Sequence, residues 1–288
     1  MARRRIVDEP TSRLAIWARR CALFSLAATV LAVPIVRSGM LELVPALATF
    51  AGGLLFAIVG IVLALGAFVV IWKDGIAGAG YAFAAIAIGL MQLGYPAYLG
   101  YRAYKLPMIN DITTDPIDPP RFDILARLRP RGTVEYAGLY AAEQQRRAYP
   151  GIEPLAVGVS PQVAYDIAIA AMLRRKWRVV VDRPPQGGRR EGQIEAVSRT
   201  PVMGFRDDVS LRVRPDGDGS RIDVRSASRY GRHDFGTNAS RIRSLLEDID
   251  ARASAHTEDR RDRPPATPPA QPPSPRPPPA GGQPAASR

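Results

Sequence analysis

Asp208 to Ser226 reads DVSLRVRPDGDGSRIDVRS, two alternating runs joined by a turn. Val209, Leu211 and Val213 alternate with Ser210, Arg212 and Arg214, and Ile222 and Val224 alternate with Asp223 and Arg225. Successive strand residues point to opposite faces, so each run has one apolar and one polar side. A turn centred on Gly217 and Asp218 sets Val213 opposite Ile222, Leu211 opposite Val224 and Arg212 opposite Asp223. This one register satisfies both faces, because a slip by one residue would turn every apolar side chain outward.

Working outward, a helix is expected from Thr237 or Asn238, with Ile242, Leu245, Leu246 and Ile249 as its buried stripe. Upstream, Gly192 to Ser198 and Trp177 to Val181 read as strands, the second ending at the turn-forming stretch Asp182 to Gly188. Ser160 and Pro161 supply an N-cap and a first-turn proline for a helix from Pro161 to Lys176. Leu155 to Val159 reads as a short strand, and Tyr136 to Arg147 as a helix interrupted by Gly138. Leu106 to Pro120, LPMINDITTDPIDPP, carries four prolines and reads as an extended leader. The order β-α-β-β-β-β-α predicts an α+β domain: an antiparallel sheet with two covering helices. Helical crossovers between single strands are lacking, which argues against a dinucleotide-binding sheet.

The 288 residues are 47% hydrophobic, but most of the apolar ones precede Tyr104. Uncharged runs occupy Cys21 to Val36, Leu43 to Trp72 and Ile76 to Tyr101. About 20 apolar residues cross a bilayer core, so these predict three transmembrane helices, the first aided by snorkelling of Arg19, Arg20 and Arg37. A cleaved signal peptide would need a small-x-small site after Pro34, and none is seen. Small residues spaced four apart, Gly60 with Ala64 and Gly80 with Ala84, offer close helix approach. No charged side chain lies inside a run, which argues against ion transport. Arg3, Arg4, Arg5, Arg13, Arg19 and Arg20 precede the first span, so the N-terminus reads as cytoplasmic. Three crossings then place the chain beyond Tyr101 in the periplasm of a Gram-negative cell, with the multi-pass anchor in the inner membrane. The chain divides into a basic N-terminus (1–20), the spans (21–104), the α+β domain (105–252) and a charged, then Pro-rich, disordered tail (253–288). Eleven of the 27 prolines lie between Pro264 and Pro284, and such a tail cannot bury a core.

Composition also excludes chemistries. Thirty-nine basic against 27 acidic residues give a formal net charge of +12, yet only Lys73, Lys105 and Lys176 are lysines and the signs alternate after the spans. Nucleic acid is therefore not expected as a partner. Cys21 is the single cysteine, which excludes an intrachain disulfide and a thiolate metal cage. His233 is the one histidine of the domain, so no zinc site and no cofactor are expected. Asp216, Asp218 and Ser220 resemble the start of a calcium loop, but the sixth position is Arg221 and the twelfth Ala227; a β-turn explains them.

The stretch from Arg225 to Asp234 leads from a strand into a helix start, where backbone N–H groups and guanidinium forks hold anions. Arg225, Ser228, Arg229 and Arg241 are candidate anion or ligand contacts. The competing reading makes them structural, paired with Asp207, Asp208 and Asp234 and joined by Asn238. Asp207 and Asp208 are neighbours on a strand and should face opposite sides, which does not suit a paired-carboxylate acid/base device. Ser228 with His233 and Asp234 would make a nucleophile only if they converged, and no G-x-S-x-G elbow is present.

Residues Asn110-Asp111-Ile112-Thr113-Thr114-Asp115-Pro116, Tyr149-Pro150, Gly204-Phe205-Arg206-Asp207-Asp208 and Arg225-Ser226-Ala227-Ser228-Arg229, with Gly231, Asp234, Gly236, Asn238 and Arg241, resemble the bacterial family called domain of unknown function 1499. The resemblance covers Ile109 to Ile249. It implies a shared domain, often attached to a hydrophobic N-terminal region, and an envelope setting; it implies no activity, cofactor or catalytic residue. The expected function is that of a non-catalytic, membrane-anchored envelope protein, with the lipid bilayer and either a partner protein or an anionic small molecule as its partners. The alternative is an enzyme with a site in the Arg225–Asp234 loop.

Overall fold

Alternation in the hairpin is realised residue for residue. In the computed structural model, which describes residues 10–38, 43–129, 136–185 and 191–262, Leu211 pairs with Val224, Arg212 with Asp223 and Val213 with Ile222. Gly217 has φ 54°, as the first residue of a tight two-residue hairpin turn requires. The helices are α1 (Arg13–Ser38), α2 (Leu43–Asp74), α3 (Ala79–Lys105), α4 (Gly138–Ala148), α5 (Pro161–Arg174) and α6 (Thr237–Asp262). The strands are β1 (Asp111–Thr113), β2 (Leu155–Val157), β3 (Arg178–Arg183), β4 (Gly192–Arg199), β5 (Arg206–Asp216) and β6 (Gly219–Ser228).

The six strands form one antiparallel sheet in the order β1-β6-β5-β4-β3, with β2 beside β1 on the same edge of β6. One face is apolar. Ile194, Val209, Leu211, Val213, Ile222 and Val224 pack there against Ala168 and Met172 of α5 and Ile242, Leu245 and Ile249 of α6, all fully buried. The expected helix stripe is thus the core stripe, except that Leu246 is only partly buried. Gly219 approaches Val157 so closely that a Cβ there would lie 2.3 Å from the Val157 carbonyl oxygen, which accounts for glycine where β2 joins β6.

Three features depart from the sequence reading. The leader is not merely extended: Asp111–Thr113 adds a sixth strand, because its alternation, too short to signal on its own, is completed by the β6 edge. Residues 114–129 then cross the second face of the sheet as a strap containing a short 3₁₀ helix (Leu125–Leu128), with Phe122 and Leu125 packed on Ala227. Finally, α6 continues to Asp262 through the segment assigned to a charged tail. The Pro-rich stretch and the arginines at 3–5 lie outside the described residues.

α1, α2 and α3 are long and apolar enough to cross a membrane by length and composition. α1 turns a stripe of small residues inward, Ala15, Ala18, Ala22, Ser25, Thr29 and Ala32. Gly60 meets this stripe, with Ala18 O and Ala22 N both 3.3 Å from its would-be Cβ, whereas Gly80 touches nothing and α3 instead buries Ala82, Ala85 and Gly89. Between the helices, Gln92 Oε1 lies 2.9 Å from both the Ser25 and the Thr29 hydroxyl oxygens, and Ser25 Oγ lies 2.7 Å from Gly53 O. Polar side chains thus cross-link all three helices. At the end where α1 and α3 finish, Arg37 Nη1 donates to the carbonyls of Pro201 and Val202, and Arg199 donates back to Arg37 O, so the β4–β5 loop is held against α1.

Candidate functional site

Alternation sends Asp207 and Asp208 to opposite faces of β5, and each organises a separate network. On the helix face, Arg241 of α6 donates to Asp207 Oδ2, to Ser198 Oγ at 3.2 Å and to Ser226 Oγ at 2.9 Å. Asn238, one turn earlier, donates to Ser228 Oγ and to Asn110 O, both at 3.0 Å, and accepts from Ser226 at 2.8 Å. Asp234 caps the same helix, its carboxylate accepting from Gly236 N at 2.9 Å and Asn238 N at 2.8 Å. Burial raises the carboxyl pKa of Asp207, with Arg241 and the Ser228 hydroxyl pulling it back. Burial raises that of Asp234 too, against its two backbone N–H bonds.

On the strap face, Asp208 is fully buried and receives Arg229 through Nε at 3.0 Å and Nη2 at 2.7 Å, and Arg129 through Nη1 at 3.0 Å. Arg225 reaches not Asp207 or Asp208 but Asp111 of β1, at 2.7 Å through Nη2 and 3.0 Å through Nε. The sequence reading of its partner is corrected by the β1–β6 register, which sets Thr113 across from Arg225 and brings Asp111 to the same face. Burial raises the Asp111 carboxyl, opposed by Arg225. Arg225 and Arg129 lie over the Phe122 ring, 4.7 and 5.1 Å from its centroid. Further along the strand, Asp223 gathers Arg212, Arg214 and Arg221, and Asp115 and Asp118 of the strap bind the same arginines from above.

The loop candidates are therefore close in sequence but split between two faces. Arg225 and Arg229 lie under the strap; Ser228 lies under α6, where Asn238 and Arg241 of that helix face the sheet. His233 points elsewhere: its Nδ1 accepts from Phe235 N at 2.8 Å, so its Nε2 carries the proton and donates to Leu106 O at 3.2 Å, where α3 ends. Neither ring nitrogen bonds to Ser228, whose hydroxyl engages Asn238 and Asp207. Asp216 ends β5 and Asp218 is the second residue of the hairpin turn. Sequence reasoning did not find Asp111, Arg129 or Glu195 as network members. Glu195 is fully buried and accepts from Asp123 N and Leu125 N, fixing the start of the 3₁₀ helix. The available signal is a carboxylate set between Ile194 and Ala196 in the middle of a strand.

Above Glu195 the strap leaves a cleft of about 560 Å³ at its edge, walled by Asp118, Arg121, Arg183, Gln193, Ser210 and Arg212. Arg183 lies 2.6 Å from Asp123 and Arg212 lies 2.8 Å from Asp118. Among the described residues, the Arg121 side chain has no ion-pair or hydrogen-bond partner, while its carbonyl accepts from Ser210 at 2.8 Å.

Residues 111–249 match the family model described as Protein of unknown function (DUF1499). The match to DUF1499 starts at the first residue of β1 and ends at Ile249, the core residue of α6, so it takes in the whole sheet, the strap and α5, just under half of the chain. It supports the resemblance read from the sequence, and the three N-terminal helices lie outside it. No curated protein matched the chain. Among solved structures, the crystal structure of TTHA0849 from Thermus thermophilus is similar at 13% identity over 36% of this chain and 96% of that one, with a TM-score of 0.21, too low to inform the fold.

Proposed function

We propose that this chain is a non-catalytic, membrane-anchored binding protein whose DUF1499 region takes a small anionic ligand in the cleft at the strap edge. The observation that carries the reading is the exposed guanidinium groups there: Arg121 without a partner among the described residues, and Arg183 in a pair whose carboxylate is about half exposed, with Arg212, held also by the buried Asp223, as part of the wall. Exposed pairs contribute ~0–1 kcal/mol, so a ligand carboxylate or phosphate can replace Asp123 on Arg183 at small cost. Gln193 and Ser210 add neutral hydrogen-bonding groups. Arg225, Ser228, Arg229 and Arg241 are in this reading the frame of the site and not its contacts, because each is already saturated within the domain.

The bundle anchors this domain in the cytoplasmic membrane, on the side opposite the N-terminus, which is the periplasm in a Gram-negative envelope. The arginines before α1 and the exit of the chain at the far end of α3 support that orientation. Two experiments test the proposal. Full-length protein in detergent should be stabilised in thermal unfolding by millimolar phosphate, glycerol phosphate or succinate, and Arg121→Ala with Arg183→Ala should remove the shift. No shift with any of them overturns the reading, and ester turnover abolished by Ser228→Ala would favour an enzyme instead. A topology reporter fused after Arg263 should read as periplasmic; a cytoplasmic signal refutes the placement.

A further inference from the structure

Arg19 stands apart from the other cations of the bundle. It lies six residues into α1, about 9 Å along the axis from Arg13, wedged against α3 with its guanidinium carbon 4.1 Å from the centroid of the Tyr81 ring. The ring covers one face of the guanidinium, and its Nε is buried without a hydrogen-bond partner. Asp74 is the single carboxylate among the described residues of this part of the chain, and it makes no ion pair with Arg19. The location is fixed from both sides: Ser12 N donates to Ala77 O and Ala77 N to Pro10 O, tying the start of α1 to the α2–α3 turn. At that same end stand Lys73 in the last turn of α2 and Arg20, whose guanidinium lies 5.1 Å from the ring centroid of the half-exposed Trp17.

A charge at the edge of a hydrocarbon layer is costly unless an opposite charge meets it, and here none of the described residues supplies one. We propose that Arg19, backed by Tyr81 and assisted by Arg20, binds the phosphate of an anionic phospholipid in the leaflet at the N-terminal end of the bundle. The lipid is favoured over a free anion by Trp17 and the apolar flanks of α1 and α3, which offer acyl chains a surface directly below the cation. An arginine fork takes phosphate oxygens through two N–H groups, and the stacked ring holds that fork in one orientation. The inference rests on the three helices crossing a membrane.

The test uses the full chain, in micelles doped with phosphatidylglycerol or phosphatidylcholine, and native mass spectrometry to count retained lipid. Wild type should retain phosphatidylglycerol preferentially. Arg19→Gln should lower that preference about fivefold, the weight of one basic residue at a lipid surface, and Tyr81→Leu, which leaves the charge and removes its backing, should lower it in the same direction. Arg20→Gln should have the smaller effect. Equal losses in Arg19→Gln and Arg20→Gln would mean diffuse charge and overturn the site. Displacement of the lipid by millimolar inorganic phosphate would overturn the choice of ligand. Protein that stays monodisperse in water without detergent would refute the membrane reading itself, a separate failure. Circular dichroism of each variant confirms that the helices are retained; should Arg19→Gln lose them, Tyr81→Leu decides, an unchanged preference there refuting the proposal.

Discussion

Replacing Asp208 by alanine strips the counterion from two guanidinium groups at once. Arg229 loses a bidentate partner at 2.7 and 3.0 Å, and Arg129 loses a contact at 3.0 Å; all three side chains are less than a tenth exposed. Removing one member of a buried pair costs about 3–5 kcal/mol because the remaining charge is left without compensation. Arg129 keeps its bonds to Ala227 O and Ser228 O, so the second arginine adds little and a total of about 4 kcal/mol is expected. That is a large share of the roughly 5–15 kcal/mol that holds a domain folded. Urea unfolding of full-length protein in detergent, followed by Trp177 fluorescence, should show the midpoint falling by about 2.7 M for a slope near 1.5 kcal/mol per M. The double variant Asp208→Ala with Arg229→Met should recover part of the loss, since one uncompensated charge is removed. A loss below about 1 kcal/mol in the single variant, within the range of exposed pairs, would refute the claim that this network holds the strap face together.

Other contacts give further expected outcomes. Gln145→Leu removes both hydrogen bonds that tie α4 to β1, Thr113 N to Oε1 at 3.0 Å and Nε2 to Thr113 O at 2.6 Å; a loss of about 2 kcal/mol is expected, read as faster amide exchange at Thr113. Gly219→Ala places a methyl 2.3 Å from Val157 O and should detach β2, seen as loss of the Val157 and Leu155 amide protections. Arg175 and Arg252 hold the Asp248 carboxyl below its usual value of 3.8, so the stability it contributes is present above that pH and lost as the pH falls below it. Asp248→Asn should therefore flatten the acid limb of the stability curve between about pH 4 and 2, by no more than about 1 kcal/mol for a partly exposed group. An unchanged limb would show that the bridge from α5 to α6 contributes nothing.

Legibility in the sequence tracks the range of the interactions. The β5–β6 register can be read directly because a two-residue turn and strict alternation leave one solution, and the α6 stripe because its apolar residues recur every three or four positions. The opposite facing of Asp207 and Asp208 comes from the same rule. Long-range features escape it: β1 has three residues, too few for a period, and Arg225 finds Asp111 only after the leader folds back across more than a hundred positions. Glycine at 80 has the spacing of a packing residue, but which side of a uniformly apolar helix turns inward is decided by its neighbours, and α3 presents Ala82, Ala85 and Gly89. The helical stretch from Ala253 to Asp262 places only Ala253 in the described core, too few apolar residues to extend the stripe of α6 in the sequence.

β1 begins at Asp111, six positions after α3 ends at Lys105, and it is stitched to β6 in the middle of the domain rather than to a peripheral element. Any tension along the polypeptide at the end of α3 reaches first the bonds at Leu106 O and Asn110 O, and then, as shear, the Asp111–Thr113 ladder and the Asp111–Arg225 bridge behind it. The strand is thus the mechanical coupling between the helices and the body: once those bonds give, a pull strong enough to part them must rip an edge from the sheet and uncover the buried arginine.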